Sequence, residues 1–330
     1  MNEKDFLNAL GTLAPLYHDP AVLEIMVDAP DRVYVERGGK LEDTAVKFVS
    51  PGALRATIDA ILALGGVTLS PEKTTGEMRF PDGSRCLAVI PPTAVDGPYF
   101  VLRRLPVEPM TWDRVLEFGA LTNEARDLLQ SAIRAPASIL VAGGAGSGKT
   151  TMLNLLIELV PAGERVVVVE NVLELQGARH PRIVHLEAGG PANVAFTDLL
   201  TTASRMRPDW LIVGELLGSE AMHAIQIMGR GHTGMATIHA NGVEDALTRL
   251  EAMCLMANLG LGLGDIRLLI ASAFRLFMHQ EKGVDGRRRI MQIAELRGVE
   301  NDRFVLQPLM RHDPTLGKLE ATGAKPGWVS

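Results

Sequence analysis

Cysteine is scarce in this sequence. Its 330 residues hold two, Cys86 and Cys254, far apart and in no Cys-x-x-Cys pair. That excludes a four-cysteine zinc module and fits a reducing compartment with two inert, buried thiols. Long apolar runs are missing too. The longest, near Leu268 to Phe274, falls well short of the roughly 18 residues that read as a membrane span. The opening residues, Met1 to Phe6, lack a basic segment followed by an apolar core, so a signal peptide is not expected. Basic excess is also absent. The formal charge is −6, which argues against nucleic acid as the main partner. There is no internal repeat and no low-complexity segment. What remains is 47% hydrophobic and 22% charged, enough for a substantial core and, at this length, for two domains.

Residues 2–17 show helical spacing, and three alternating runs follow: 22–27, 32–36 and 44–48, separated by turns at Asp28-Ala29-Pro30-Asp31 and Arg37-Gly38-Gly39-Lys40. They predict an antiparallel meander. A helix is expected over Pro51–Leu64, then strands over 77–80, 84–90 and 99–104, with a turn at Pro81-Asp82-Gly83. Two prolines without periodicity mark a linker over 105–111. Beyond it, helical and buried-strand patterns alternate, as in a mostly parallel sheet with helices on both faces, and late strands are expected over 287–296 and 304–309. The reading is an α/β chain. An N-terminal domain spans 1–105, a linker 106–112 and a larger domain 113–330, with a loose tail after about residue 311.

The most telling stretch is Gly143-Gly144-Ala145-Gly146-Ser147-Gly148-Lys149-Thr150, followed by Thr151. It fits G-x-x-x-x-G-K-S/T in full. An apolar strand pattern, 137–142, precedes it and a helical one follows, which is the context the motif requires. Glycines let successive N–H groups converge on an anion, and the helix N-terminus adds partial positive charge. Lys149 is then placed for β- and γ-phosphates, and the Thr150 hydroxyl for Mg²⁺.

Two further strand patterns end in carboxylates, Glu170 after Val166–Val169 and Glu215 after Leu211–Gly214. At the carboxyl end of an open sheet, one such group can hold the Mg²⁺ hydration shell and another can orient the attacking water. In the run Gly231–Asn241 a glycine-flanked loop with His232 feeds a short strand pattern that ends in His239. An imidazole there can sense a γ-phosphate, or serve as a hydrogen-bonded structural residue. Arg79, Arg85, Arg103 and Arg104 form the last set, guanidinium forks suited to phosphate.

Taken in order, these motifs resemble the type II/type IV secretion ATPase superfamily. The resemblance rests on Glu24–Val27, Arg32–Gly39, Arg79–Arg85, Ile90-Pro91-Pro92, the phosphate loop, Arg205–Asp209, Val213–Glu215, Gly231–Asn241, Asp245–Glu251 and Ile270–Ala273, and spans roughly 20–312. Within the superfamily the pattern is most similar to the CpaF family of tight-adherence (Tad, Flp-type) pilus assembly ATPases. The resemblance implies a RecA-like ATPase domain preceded by a PAS-like domain. It implies a hexameric cytoplasmic motor that binds ATP and Mg²⁺ and meets inner-membrane platform proteins, with no nucleic acid. It implies Lys149 and Thr150 as the Walker A pair and Glu215 as the Walker B glutamate. Glu170 and Glu174 would form the so-called Asp box, His232 and His239 the His box, and Arg79, Arg85 and Arg103 the interface arginines. The pattern departs from the family at Asn171, where Asp is usual, at Leu217, where Arg is common, and at Val67-Thr68-Leu69, where a basic segment is usual. A conjugative secretion ATPase, a RecA-like nucleic-acid motor and a low-turnover structural ring are the other readings.

Overall fold

The computed structural model describes residues 3–80, 82–104, 110–175, 179–188 and 194–328. The chain divides into two units, Met1–Pro109 and Met110–Ser330.

In the first unit, helices α1 (Glu3–Leu10) and α2 (Ala14–His18) precede strands β1 (Val22–Ala29), β2 (Arg32–Arg37) and β3 (Lys40–Asp43). Helix α3 (Pro51–Ala63) follows, capped by the Ser50 hydroxyl accepting from Ala53 N–H, and then β4 (Thr75–Arg79), β5 (Arg85–Val89) and β6 (Tyr99–Arg103). The strands form an antiparallel sheet in the order β3-β2-β1-β6-β5-β4. Period-two alternation sorts its faces. Ile25, Val27, Val35, Met78, Cys86, Ala88, Phe100 and Leu102 share one core with Phe6, Leu10, Ile58 and Leu62 of the helices. The third strand lies at 40–43 rather than at 44–48 as the alternation predicts. Gly38 and Gly39 both take positive φ, +55° and +80°, so the chain reverses within two residues and pairing resumes at Lys40.

In the second unit the elements are α4 (Trp112–Glu117), α5 (Asn123–Arg134), β7 (Ile139–Gly143), α6 (Lys149–Leu159), β8 (Val166–Glu170), β9 (Ile183–Glu187), α7 (Phe196–Arg205) and β10 (Trp210–Leu216). They continue with α8 (Glu220–Gly229), β11 (Thr233–Ile238), α9 (Val243–Met256), α10 (Leu263–Ala273), β12 (Leu276–Lys282), β13 (Arg288–Glu300), β14 (Arg303–Asp313) and β15 (Lys318–Ala321). The described strands make one sheet in the order β15-β14-β13-β12-β7-β11-β10-β8-β9. It is parallel from β12 to β9 and antiparallel from β12 to β15. Its central strands are apolar throughout because both faces are covered. Ile139 and Val141 of β7 pack with α4, α5 and α6, while Leu140 and Ala142 pack with α7–α10.

Four elements, α4, α8, β12 and β15, have no counterpart in the sequence reading. Most of the expected linker, 105–109, lies outside the described residues, as does Pro81 of the predicted turn. The linker's far end is corrected: Trp112 opens α4 and is buried in the second unit's core. The loose tail is corrected as well. Strand β15 pairs with β14, Gly327 N–H donates to Glu295, and the Trp328 indole donates to the Ser131 hydroxyl and covers the Arg275 guanidinium. The tail holds because a short strand ladder, side-chain hydrogen bonds, one indole and the buried Leu319, rather than a long apolar period, fasten it.

Candidate nucleotide site

Parallel strands in register bring their carboxyl ends to one edge of the sheet. Gly143 of β7 pairs with Gln280 of β12, Ala142 with Ile238 of β11, and Val169 of β8 with Val213 of β10. The phosphate loop leaves this edge after Gly143, a position with no room for a side chain: a Cβ there would lie 2.5 Å from the Gln280 carbonyl oxygen. Gly146 and Gly148 take φ of +68° and +97°, which a Cβ would strain. Helix α6 then starts at Lys149, with Thr150 and Thr151 in its first turn.

Between Gly214 and Glu215 the ladder of β10 and β11 gains one residue, since Val213 pairs with Ala236 and Leu216 with Ile238. The bulge is held by the buried Thr237 hydroxyl, which donates to the Gly214 carbonyl at 2.6 Å. It sets Glu215 against the loop. Glu215 Oε1 lies 3.0 Å from His239 Nε2 and 3.9 Å from Lys149 Nζ. Lys149 Nζ donates to the Gly144 carbonyl at 3.1 Å and stands 3.4 Å from His239 Nδ1. An ammonium only donates, so Nδ1 accepts and Nε2 carries the proton given to Glu215. Burial depresses the pKa of Lys149, while Glu215 and Glu174 oppose the shift.

Glu170 plays a different part. It is buried, and its carboxylate accepts from Glu174 N–H and Leu175 N–H, both at 3.0 Å. It ties down the segment after β8 and so places Glu174, whose Oε2 accepts from the Thr150 hydroxyl at 3.4 Å.

The predicted residues therefore separate. Residues 143–151, Glu170, Glu215 and His239 meet at one edge. His232 does not. It precedes β11 at the opposite end of that strand, roughly 20 Å away by strand rise. There it lines a cavity of about 610 Å³ with Ser138, Arg275, Glu295 and Arg297. Arg79, Arg85 and Arg103 belong to the first unit. They pair directly, Arg79 with Arg85 and Arg85 with Arg103, and the row continues to Glu24 and Glu36. Directly opposed partners share a face, here the one away from the helices, so the three guanidinium groups stand in one row with the carboxylates of Glu24 and Glu36. Arg104 is turned elsewhere, donating to the carbonyls of Asp19 and Val22 and lying over Tyr17. Leu217, where an arginine is common in the resembled family, is exposed.

Two residues escaped the sequence reading. Gln280 Nε2 donates to the Ser147 carbonyl at 2.8 Å and Arg288 Nε to the Gly146 carbonyl at 2.9 Å, from 133 and 142 residues away. No local pattern marks either.

The oxygen donors at this edge, the Thr150 hydroxyl and the Glu215 carboxylate, suit Mg²⁺. That ion takes few protein ligands and completes its shell with phosphate and water.

The family model for type II/IV secretion system proteins matches residues 8–300. A putative conjugal transfer protein of Mycobacterium tuberculosis is 33% identical over 308 residues, covering 89% of this chain and 86% of its own. The type IV secretion system protein PtlH homolog of Bordetella bronchiseptica is 31% identical, covering 86% of this chain and 93% of its own. Among solved structures, the Legionella pneumophila ATPase DotB is 20% identical with a TM-score of 0.61, covering 86% of this chain and 78% of its own. The pilus retraction motor PilT with bound ADP is 17% identical with the same TM-score of 0.61, covering 88% and 84%. These two show the fold.

Proposed function

The chain belongs to the type II/IV secretion system protein family and is an ATP hydrolase, and from that premise we propose that it is a ring-forming motor for assembly of a Tad-type pilus or for protein secretion. The observation that carries the reading is the junction of Lys149, Glu215 and His239 beside a complete phosphate loop. In this reading the loop N–H groups and Lys149 take the β- and γ-phosphates, and Thr150, with Glu215 through water, holds Mg²⁺. Bound there, the ion would supply positive charge against the charge that develops on the phosphate. Glu215 accepts the proton of the attacking water. His239 Nε2–H holds the Glu215 carboxylate in place, and its position next to Lys149 makes it a sensor of the γ-phosphate. Glu170 acts indirectly, through the segment it anchors.

The arginine row of the first unit is assigned to the nucleotide's phosphates, as arginine fingers are. The ring is taken to be a hexamer at the cytoplasmic face of the inner membrane, bound to platform proteins there. No helix among the described residues is long and apolar enough to cross a membrane. The names of the relatives equally favour a conjugative type IV secretion ATPase, which shares fold and chemistry.

The test is turnover per subunit across dilution, for the parent and for Arg85→Gln. The reading expects turnover per subunit to rise with protein concentration in the parent, and to be lower at all concentrations in the variant. Concentration-independent turnover, equal in both, would favour a self-contained catalytic unit. A purified pilus platform protein or a relaxosome-type DNA complex, added in turn, then separates the pilus from the conjugative role.

A further inference from the structure

The phosphate loop is gripped from behind. Strand β12 lies beside β7, and β13 returns antiparallel to it, Lys282 pairing with Arg288. The hairpin thus presents two side chains to the outer surface of the loop. Gln280 is buried, and its amide donates to the Ser147 carbonyl at 2.8 Å. Arg288 lies across the loop's left-handed turn: a Cβ on Gly148 would stand 3.0 Å from Arg288 Cδ and 3.2 Å from Gln280 Nε2. Its Nε donates to the Gly146 carbonyl at 2.9 Å.

In a trans peptide the carbonyl and the following N–H point in opposite directions. Holding the Gly146 carbonyl outward therefore aims Ser147 N–H inward, and holding the Ser147 carbonyl outward does the same for Gly148 N–H. The inner side is where the ammonium sits. Ser147 N–H meets the Gly144 carbonyl at 3.3 Å, the same oxygen that takes Lys149 Nζ at 3.1 Å. Without the two outer donors, the peptides flanked by Gly146 and Gly148 keep only the long Ser147 N–H bond to the Gly144 carbonyl as a restraint, and glycine itself imposes little preference on φ. An anion must then order the loop on arrival, and that ordering subtracts from binding.

We propose that Gln280 and Arg288 are positioning residues of the ATPase, a two-pronged clamp on the Gly146 and Ser147 carbonyls that pre-orients the loop's N–H groups for the nucleotide's phosphates. The proposal rests on the reading of residues 143–150 as the nucleotide site. Neither residue touches the reacting atoms through these bonds. The clamp acts through the loop, on nucleotide affinity first and on the chemical step second.

The test uses the full chain with Gln280→Leu, Arg288→Met and the double variant, with Arg288→Lys as the conservative replacement that keeps a donor and the aliphatic stem. Three quantities are read: the Kd for ADP by calorimetry, KM and kcat for ATP, and Tm without nucleotide. The expected result is a rise in Kd and KM of about 3- to 10-fold for each single variant, as for loss of one net hydrogen bond. The double variant should show a larger rise, kcat should stay within about threefold, and Arg288→Lys should recover part of the affinity. Tm should stay within about 2 °C for Arg288→Met and fall by several degrees where the buried Gln280 bond is lost. A drop in Tm with unchanged Kd and KM would mean that the bonds only brace the hairpin, and it would overturn the proposal. Unchanged values throughout would also overturn it. Lys149→Ala runs alongside. If the parent binds ADP no better than Lys149→Ala, the nucleotide-site reading itself fails. If the parent binds and the clamp variants match it, only the clamp fails.

Discussion

Gly214 and Glu170 contend for one space between strands β8 and β10. A Cβ on Gly214 would lie 2.7 Å from Glu170 Cγ and 3.2 Å from its Oε1. The residue before Glu215 is therefore bare so that the neighbouring carboxylate can stand upright and reach the N–H groups of Glu174 and Leu175. This gives the two strand-end glutamates separate duties. Glu215 is partly exposed and meets Lys149 and His239, whereas Glu170 is closed in and serves the backbone.

That division is measurable. Glu215→Gln should still bind Mg-ATP but hydrolyse it about 10²–10⁴-fold more slowly, with an unchanged melting curve. Glu170→Ala takes the carboxylate acceptor from one buried and one half-buried N–H group, at a cost of about 2–4 kcal/mol. Its Tm should fall by roughly 5–15 °C. Single-turnover hydrolysis and thermal melting of both variants check this. Near-normal kcat in Glu215→Gln would refute the assignment of the water-orienting group.

Lys149→Ala should remove turnover, by on the order of 10²–10³-fold or more for loss of one charged phosphate donor. Its nucleotide-free Tm should stay within about 2 °C, because the ammonium is desolvated where it lies and stabilises little. A variant hydrolysing ATP at the parent rate would exclude residues 143–150 as the site.

His279 predicts an acid-side loss of stability. It is buried on β12, its Nε2 makes no hydrogen bond among the described residues, and burial holds its pKa below the usual 6.5 against the opposing charges of Glu281, Glu244 and Asp245. Arg249 also faces this cluster, donating to Asp245. The unfolded chain takes up this proton near pH 6.5 and the folded chain only at lower pH. Stability is therefore full above the unfolded value and declines as pH falls from about 6.5 through the folded pKa. Melting curves from pH 7.5 to 5 should show the decline, and His279→Gln should make it shallower, leaving the share of His185 and His223, whose pKa values burial also lowers. Equal slopes in both proteins would remove His279 as the cause.

Both thiols should resist modification in the native state. Cys86 and Cys254 are buried, and burial raises each pKa to about 12, so thiolate is scarce at neutral pH. A thiol-reactive dye should label neither within minutes, and both after denaturation. Rapid native labelling of either would show that its core opens readily.

The phosphate loop and its flanking strand and helix were legible because a local pattern is enough to specify them. Glu170, Glu215 and His239 were legible because each follows a buried apolar strand. Their roles were not. That Glu170 serves the backbone depends on Gly214 in the next strand, and that His239 bridges Lys149 and Glu215 depends on a bulge held by Thr237. Strand β12 escaped because its apolar residues run on from helix α10 without a break in hydropathy. The fastened tail escaped because a four-residue strand with one buried leucine, one indole and a few polar bonds carry it, too little for a periodic pattern. Gln280 and Arg288 meet the loop from more than a hundred residues away, where sequence spacing says nothing.

Strand β11 carries a histidine at each end, His239 at the phosphate edge and His232 at the rim of the cavity. Between them it is zipped to β10 on one side and β7 on the other. Such a strand cannot creep. The smallest slip that returns its side chains to their own faces is two residues, about 6.6 Å, and it would unfasten both ladders together. A piston is thereby ruled out as the way the two ends communicate. Any signal passing from phosphate to cavity must tilt the sheet as one plate, or travel around it through the helices that cover it.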